Sequence, residues 1–218
     1  YMNRSLYPVG KSVKWLPDTD KYLFTDNENP NNLMIQDVNA EKAEVLITLD
    51  QVNSYLNQAG LDSIKRLPNL TWIDATKAYY YIFDQKNNCV NLNLLDINAN
   101  NIKKVTSIPS NAENHTITLP SLKVAYTIEN NLYFADGEKH VQVTDNPENV
   151  VAGQSVHRNE FAINGGIFWS PDGNKLAYYN MDESMVTDYP LVDITERVAT
   201  AKPIKYPMAG MKSHEVKL

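Results

Sequence analysis

Four segments with a shared pattern recur along this chain, and their spacing limits the folds that it can adopt. Each has an apolar or aromatic residue, a turn and an aromatic-rich strand, and the common pattern is Trp-x-Pro-Asp before a Tyr-bearing strand. The segments are 13–24, 70–83, 117–128 and 167–179, with anchor residues Trp15, Trp72, Leu119 and Trp169. The anchors lie 57, 47 and 50 residues apart. A period of about 50 residues indicates repeated supersecondary units that stack on one another.

A second strand pair follows each of the first three segments. These pairs occupy residues 32–48, 89–106 and 131–145. Apolar residues alternate along 90–98, as in a half-buried strand, and the turns contain Asp, Asn and Gly, which tolerate unusual backbone angles. We therefore expect each unit to be a four-stranded antiparallel sheet. Such a sheet cannot bury both faces alone, whereas radially stacked sheets bury each other's faces and form a β-propeller.

The repeats predict an all-β chain that forms a partial β-propeller of about four blades. The predicted blades are 8–66, 67–110, 111–152 and 164–218, and residues 153–163 form an excursion between the third and fourth blades. The last unit is incomplete, because it trails into the loop-like residues 195–218. Closed propellers use about four to eight blades, so we expect this chain to be part of a larger propeller.

One segment between the first and second blades has helical rather than strand periodicity. Leu49, Val52, Leu56 and Ala59 recur at helical spacing within residues 49–61. Asp50 suits a helix N-terminus and Gly60 a helix C-terminus. The segment predicts a short amphipathic helix, which either docks a partner or covers the propeller flank, and we favour the second interpretation.

Composition excludes several classes of protein. The 218 residues are 43% hydrophobic and 21% charged, which favours a folded chain over a disordered one. The formal net charge is -6 and no basic face is visible, so we do not expect nucleic acid as a partner. No apolar run approaches the roughly 18 residues of a membrane-spanning helix. A single cysteine, Cys89, cannot form an internal disulfide.

No catalytic or metal-binding constellation is recognisable in the sequence. Residues 153–157 begin like a nucleophile elbow, but His157 stands where a small residue is required. The histidines at 115, 140, 157 and 214 lack metal-ligand spacing, and the hairpin turn at 172–174 lacks the ligand pattern of a calcium loop. Cys89 is better interpreted as a structural thiol than as a nucleophile. We expect no cofactor, no metal and no catalytic residue in this chain.

Four consecutive polar residues, His157 to Glu160, stand just before a strand that the pattern predicts to be buried. Val156 and Phe161 bracket them, and two glycines follow at 165 and 166. The pattern predicts an irregular or helical excursion that leaves the blade and returns at Ile167, and such excursions carry binding residues on a rigid scaffold. A carboxylate held by a neighbouring arginine stays ionised and can bind an ammonium group. The alternative is a solvated loop with a surface Arg–Glu pair.

Several stretches resemble one protein family. They are VHRNEF at 156–161, FWSPDGNKLAYYNMDESMV at 168–186, YPLVD at 189–193 and YPMAG at 206–210. Together they resemble the propeller domain of dipeptidyl peptidase IV and its relatives in the prolyl oligopeptidase clan. The wording of 155–161 and 181–193 is similar to bacterial members. The resemblance covers nearly the whole chain, as the N-terminal half of that propeller, and it is most specific from Val156 to Gly210.

The resemblance implies a role in a serine exopeptidase. In that family an eight-bladed propeller caps a C-terminal α/β-hydrolase domain, whose Ser-His-Asp triad releases N-terminal dipeptides ending in proline or alanine. A short segment projecting from the propeller carries acidic residues that bind the free N-terminal ammonium of the peptide. The implied partners are a peptide substrate with a free N-terminus, the hydrolase domain of the same chain and a second copy in a homodimer. The chain alone would then not be catalytic.

The implied substrate-binding residues are Glu160, Asn159 and Arg158. Glu160 precedes Phe161 directly and matches one of the two adjacent glutamates of the family segment. Asn159 stands at the position of the other, which leaves one carboxylate and one amide for an ammonium ion. Arg158 either restrains Glu160 or weakens its attraction for a cation. The departure at Asn159 lowers the negative charge of the implied site.

A second family feature is not matched here. An arginine from an earlier blade touches the substrate carbonyl in the family, but the corresponding hairpin, 83–90, holds Lys86 and no arginine. The resemblance also implies export to a bacterial periplasm or cell surface. The alternative function is a non-catalytic β-propeller that binds proteins, because some relatives in the clan have lost their catalytic residues.

Overall fold

The structure, a computed structural model, describes residues 12–119, 121–156, 162–195 and 197–218. The chain divides into two compact units, residues 1–108 and 109–218. Four-stranded antiparallel sheets dominate the fold, as the repeats predict. The fold is therefore all-β with one α-helix among the described residues, and it is a partial β-propeller.

The first unit contains two four-stranded sheets. The first sheet is formed by β1 (Lys14–Trp15), β2 (Lys21–Thr25), β3 (Asn32–Asp37) and β4 (Glu44–Thr48). The second is formed by β5 (Thr71–Trp72), β6 (Lys77–Asp84), β7 (Cys89–Asp96) and β8 (Asn101–Pro109). In both sheets the strand order follows the chain, so that each is an antiparallel meander. The predicted turns at 38–39 and 98–100 join β3 to β4 and β7 to β8.

The predicted helix is α1 (Leu49–Gln58), and it begins one residue before the predicted Asp50. Thr48 is the N-cap, because its hydroxyl accepts a hydrogen bond from the Gln51 amide and the Gln51 side chain accepts one from the Thr48 amide. This reciprocal capping box uses the residue that ends β4, which the periodicity of the helix does not indicate. Gly60 follows the helix with φ of 71°, as a C-terminal glycine should.

The apolar face of α1 belongs to the core of the first unit. Leu49, Val52 and Leu56 are buried, and the latter two join a cluster that includes Leu23 and Trp72. The interpretation of α1 as a helix that covers a blade flank is therefore supported, whereas a helix that docks a partner would leave this face open. Within the described residues no helix has both the length and the apolar character that crossing a membrane requires.

The second unit begins with the third four-stranded sheet. It is formed by β9 (Glu113–Ile117), β10 (Val124–Ile128), β11 (Asn131–Asp136) and β12 (Lys139–Gln142), in the order β12-β11-β10-β9. Strand β10 is the most buried strand in the unit, since its first four residues are all buried. A strand covered on both faces needs an unbroken run of residues that tolerate burial, and VAYT provides one.

The remainder of the second unit departs from the predicted four-stranded blade. Strands β13 (Val150–Ala152), β16 (Asn180–Asp182) and β19 (Glu215–Lys217) form a three-stranded sheet in the order β13-β16-β19. Strands β14 (Ile167–Trp169) and β15 (Leu176–Tyr178) form a separate hairpin, and β17 (Asp188–Asp193) and β18 (Thr200–Lys205) form a two-stranded ribbon. The strands of this region are thus divided among three small sheets.

Two local features account for this division. Pro190 and Pro203 stand opposite each other in the β17–β18 ribbon, and proline has no N–H to donate to a further strand. Tyr179 separates β15 from β16, and its amide and carbonyl bond to Gly166 and Gly153 instead of extending either strand. The predicted turn at 172–174 does join β14 to β15, with Gly173 at φ of 67°.

Two buried threonines allow a test of hydrogen bonding in the blades. Both Thr106 and Thr127 are fully buried, but the Thr106 hydroxyl has no hydrogen-bond partner. The Thr127 hydroxyl donates to the Glu113 carbonyl at 3.3 Å and accepts from Asn114 Nδ2 at 2.9 Å. Burial without a partner costs a hydroxyl free energy that a methyl group of the same shape does not lose.

We expect Thr106→Val to raise the free energy of unfolding by about 1 kcal/mol and Thr127→Val to lower it by about 1 kcal/mol. The two changes are chemically identical, so the packing change is matched and only the hydrogen bonding differs. Urea denaturation followed by tryptophan fluorescence measures both values. Equal destabilisation by the two substitutions would contradict the expectation.

Candidate functional site

The polar run that the sequence singles out falls at a gap in the described residues. Arg158, Asn159 and Glu160 lie outside the described residues, as do His157 and Phe161. Their roles therefore stay predictions. The structure does describe both ends of the excursion, 153–156 and 162–166, and these two ends fix where the five residues between them begin and finish.

A single residue, Tyr179, ties the two ends together through its backbone. The Gly153 amide donates to the Tyr179 carbonyl at 2.8 Å, and the Tyr179 amide donates to the Gly166 carbonyl at 2.9 Å. Gly153 directly follows β13 and Gly166 directly precedes β14. The excursion therefore leaves and re-enters the fold at one backbone position, which closes it into a narrow-necked loop.

Side chains reinforce this neck one residue further out. Ser155 Oγ donates to the Ile163 carbonyl at 2.5 Å, which is a second link between the outgoing and returning arms. Gln154 Nε2 donates to the Glu129 carbonyl at 3.0 Å and so attaches the outgoing arm to the turn after β10. Because each link uses a different residue, the position of the arms is set by several hydrogen bonds and not by one.

Two glycines are needed for the arms to approach this closely. A Cβ atom on Gly166 would lie 2.2 Å from the carbonyl oxygen of Gln154, which is far inside van der Waals contact. Gly153 has φ of 70° and would place a Cβ atom 3.0 Å from side-chain carbons of Ile167 and Thr127. We infer that Gly166 is required by the close backbone contact and Gly153 by its backbone conformation.

The neck stands on a packed part of the second unit. Ala152 and Ile167, at its two ends, are buried with Ala125 and Leu132 in one apolar cluster. Trp169, on β14, packs edge-on against Phe134 with ring centroids 6.5 Å apart, and its Nε1 donates to the Thr116 carbonyl at 3.4 Å. A short loop with fixed ends on a rigid support can hold a charged side chain in a defined place, which is what a binding carboxylate requires.

Sequence reasoning placed the excursion but missed the residues that shape it. Gly166 was noted only as following the polar run, and neither Tyr179 nor Ser155 was singled out. The available indication was the pair of glycines on opposite sides of a polar run, Gly153 before it and Gly166 after it. A contact between backbones 12 residues apart (Gln154 and Gly166) is not visible in a linear pattern.

The hairpin that would carry the missing family arginine is well ordered by its own side chains. It joins β6 to β7, and its Asp84 carboxylate accepts hydrogen bonds from the Asn87 side chain at 2.8 Å and the Asn87 amide at 3.1 Å. Hydrogen bonds from Asn87 hold the pKa of Asp84 below its ordinary value. Lys86 lies in this turn, in the first compact unit, whereas the excursion belongs to the second.

Other predicted candidates are accounted for individually. Among the described residues, no three His, Cys, Asp or Glu side chains are grouped so as to hold a metal ion. His140 Nδ1 lies 2.9 Å from the Tyr126 hydroxyl, in a hydrogen bond within the third sheet. Cys89 is a half-buried free thiol whose Sγ lies 3.6 Å from Asn91 Oδ1. This environment fits the structural thiol that the sequence predicts.

Sequential antiparallel sheets, joined to a glycine-necked excursion, define this chain as a portion of a β-propeller. The model of the dipeptidyl peptidase IV N-terminal region matches residues 67–218. The chain belongs to that family, so the resemblance given by the sequence is confirmed.

Individual relatives agree with the family. The chain superposes on a solved structure from Bacteroides ovatus, provisionally named dipeptidyl aminopeptidase IV, with a TM-score of 0.74 and 36% identity; it covers 95% of this chain and 28% of that one. It is 27% identical to a dipeptidyl-aminopeptidase B of Phaeosphaeria nodorum, over 94% of this chain and 26% of the relative. It is 24% identical to the rat protein named inactive dipeptidyl peptidase 10, with the same coverages. The chain thus spans about a quarter of the length of these relatives.

Proposed function

We propose that this chain is the substrate-recognition part of a serine exopeptidase that releases N-terminal dipeptides from peptides. The observation that carries the proposal is the match of residues 67–218 to the N-terminal region of dipeptidyl peptidase IV. In this proposal Glu160 binds the free N-terminal ammonium of the peptide, and Asn159 supplies a neutral acceptor beside it. The nucleophile belongs to a hydrolase domain of the same protein.

The excursion supports this role by its construction. Hydrogen bonds from Gly153, Tyr179 and Ser155 fix both arms within a few residues of the proposed carboxylate. An exopeptidase needs such a fixed anchor, because the distance between the bound amine and the nucleophile decides which peptide bond is cut. A carboxylate on a free loop would bind the amine without setting that distance. The narrow neck is therefore better suited to measuring a substrate than a plain surface loop is.

The second candidate function is a non-catalytic propeller that binds other proteins. It is favoured by one observation, the similarity of nearly the whole chain to a relative that is named inactive. In that case the excursion would recognise a protein surface and no dipeptide would be released. The two functions differ in whether a serine-dependent reaction accompanies amine recognition.

Kinetics on the full-length protein test the proposed function. We expect it to release Gly-Pro from Gly-Pro-p-nitroanilide, and we expect a serine-directed fluorophosphonate to abolish this release. The same substrate with an acetylated amino terminus should be cleaved with a kcat/KM lower by about a hundredfold or more, because acetylation removes the ammonium that forms a charge-assisted hydrogen bond.

The controls separate the two functions. A mock-treated sample without fluorophosphonate fixes the basal rate, and acetylation of a lysine side chain on a longer peptide leaves its N-terminal amine intact. Equal cleavage of the free and acetylated substrates would overturn amine recognition. Complete lack of cleavage of either substrate would overturn the peptidase and favour the non-catalytic propeller.

A further inference from the structure

A groove in the first unit has an apolar floor and a cationic rim. Its volume is about 900 Å³, which is within the range of small-molecule sites. Its walls come from β1 and β2, from the segment 64–70 and from β5 and β6. All of these belong to residues 12–82, so the groove lies within one compact unit and uses no residue of the excursion.

The floor of the groove is the outer side of the packed core. Leu23, Phe24 and Trp72 line it, and each of the three is more than nine-tenths buried. Ile64 and Ile82 also line it and pack against the same core cluster. Because these side chains are held by the core behind them, the floor is preformed and offers an aromatic and aliphatic surface to a ligand.

The rim carries positive charge without any balancing carboxylate. Lys14, Lys65 and Arg66 line the groove, and no Asp or Glu is among its described lining residues. This is unusual in a chain whose formal net charge is -6. Lys14 Nζ donates to Asn69 Oδ1 at 2.5 Å, and neither Lys65 nor Arg66 takes part in an ion pair with another described residue.

Other nearby groups do not neutralise the rim. Burial raises the pKa of the Tyr81 phenol, which lines the groove, so this residue stays neutral over the physiological pH range. Residues 1–11, which precede the lining residue Ser12, contain Arg4 and Lys11 and no carboxylate. Their charge has the same sign as that of the rim, so they lack the complementarity that an occupant of this groove would need.

We propose that this groove binds a small amphipathic organic anion, with its aromatic or acyl body on the Phe24–Trp72 floor and its carboxylate or sulfonate between Lys65 and Arg66. Such a ligand matches both parts of the groove: the floor removes its apolar body from water, and the two cations form charge-assisted hydrogen bonds to its head. The site is independent of the proposed peptidase function, because it neither includes nor contacts the residues of the excursion.

Two dyes that differ in one charged group test the site. The anion 8-anilinonaphthalene-1-sulfonate and its neutral counterpart N-phenyl-1-naphthylamine share one aromatic body and both fluoresce when they leave water. We expect the full 218-residue chain to bind the sulfonate at one site, with an affinity at least about tenfold higher than that for the neutral dye. Octanoate should displace the bound sulfonate, and octanol should displace it about tenfold less effectively.

A pair of double variants locates the binding. Lys65→Ala with Arg66→Ala should weaken binding of the sulfonate by about tenfold and leave binding of the neutral dye unchanged. The matched control is Lys42→Ala with Lys103→Ala, two exposed lysines of the same unit that do not line the groove. It removes the same net charge and should change the affinity by less than about twofold. Far-ultraviolet circular dichroism should be the same for all three proteins.

Each remaining outcome would overturn the proposal. Equal affinity for the two dyes would mean that the rim does not select an anion. Equal loss in the two double variants would mean a diffuse charge effect and not a site. Absence of any dye binding would mean that the chain itself covers the groove, and binding that weakens as protein concentration rises would mean that a second copy covers it.

Discussion

Gly166→Ala is expected to lower the free energy of unfolding of this chain by about 2–3 kcal/mol, which is large for the addition of one methyl group. The added Cβ atom would lie 2.2 Å from the Gln154 carbonyl oxygen and 2.4 Å from its carbonyl carbon. Both are backbone atoms, which cannot rotate away as a side chain does. Relief therefore requires the arms of the excursion to move apart, and this breaks the hydrogen bond from the Tyr179 amide to the Gly166 carbonyl.

The neighbouring residue supplies the control for this substitution. A Cβ atom on Gly165 would have its nearest neighbour, Phe168 Cε1, at 4.0 Å, which is ordinary van der Waals contact. Gly165→Ala should therefore change the free energy of unfolding by less than about 0.5 kcal/mol. The two variants insert the same methyl group one residue apart, so a difference between them reports the close backbone contact alone.

Hydrogen exchange gives a residue-level measure of the same effect. In the Gly166→Ala chain we expect the amides of Gly153 and Tyr179 to exchange about thirtyfold faster or more, which is the factor that about 2 kcal/mol of local stability represents. The amide of Leu132, which bonds to the Thr144 hydroxyl at 2.9 Å inside the third sheet, should be much less affected. Unchanged exchange at Tyr179 would contradict the proposed clamp.

The repeated part of the fold was predictable because its information is local. Each blade of the first unit is a meander whose strands, turns and apolar alternation follow one another in the chain, so that a repeat of about 50 residues predicts them together. The helix was predictable for the same reason, from Leu49, Val52 and Leu56. Its exact start was not, because the cap that fixes it, Thr48, is also the last residue of β4.

The last region was not predictable from the repeat alone. Its first hairpin has the same sequence pattern as the earlier blades, but Tyr179 diverts the backbone hydrogen bonds into the neck of the excursion. Strand β13 then pairs with β16, which lies 28 residues further along, measured between Ala152 and Asn180. Pairing over that distance depends on which groups the neck has already used, and a linear pattern does not contain this information.

The candidate site divides in the same way. The polar run from Arg158 to Glu160 is contiguous, so its position and chemistry could be inferred from the sequence. The neck and the cationic groove are assembled from separated residues, such as Lys14 with Asn69 and Gln154 with Gly166. Their existence depends on how strands are placed in space, which the sequence pattern does not reveal.

Glu160→Ala in the full-length protein is expected to lower kcat/KM for Gly-Pro-p-nitroanilide by at least tenfold. A charge-assisted hydrogen bond contributes about 1.5–3 kcal/mol, and each 1.4 kcal/mol corresponds to a factor of ten. Most of the loss should appear as a higher KM, because the amine is bound in the ground state as well as in the transition state. Some loss in kcat is also expected, because a substrate without its anchor reaches the nucleophile in productive orientation less often.

Two further substitutions make this result specific to charge. Glu160→Gln keeps the shape and the hydrogen-bonding oxygen of the side chain but removes its negative charge, so we expect it to lose nearly as much as Glu160→Ala. Asn159→Glu restores the second carboxylate of the family pattern and should lower KM for the free-amine substrate severalfold, while leaving the acetylated substrate unaffected. Full activity of Glu160→Ala would remove this carboxylate from the site even if the peptidase activity itself were real.

The expected behaviour of these variants follows from how the excursion is built. A carboxylate can fix a dipeptide length only if the loop that carries it is itself fixed, and the neck at Gly153, Tyr179 and Gly166 does this without touching the substrate. Gly166→Ala should then lower kcat/KM while the acidic residue is intact, and combining it with Glu160→Ala should cost less than the sum of the two separate losses. Additive losses would show that the neck and the carboxylate act independently, which contradicts a loop whose anchoring function depends on its own support.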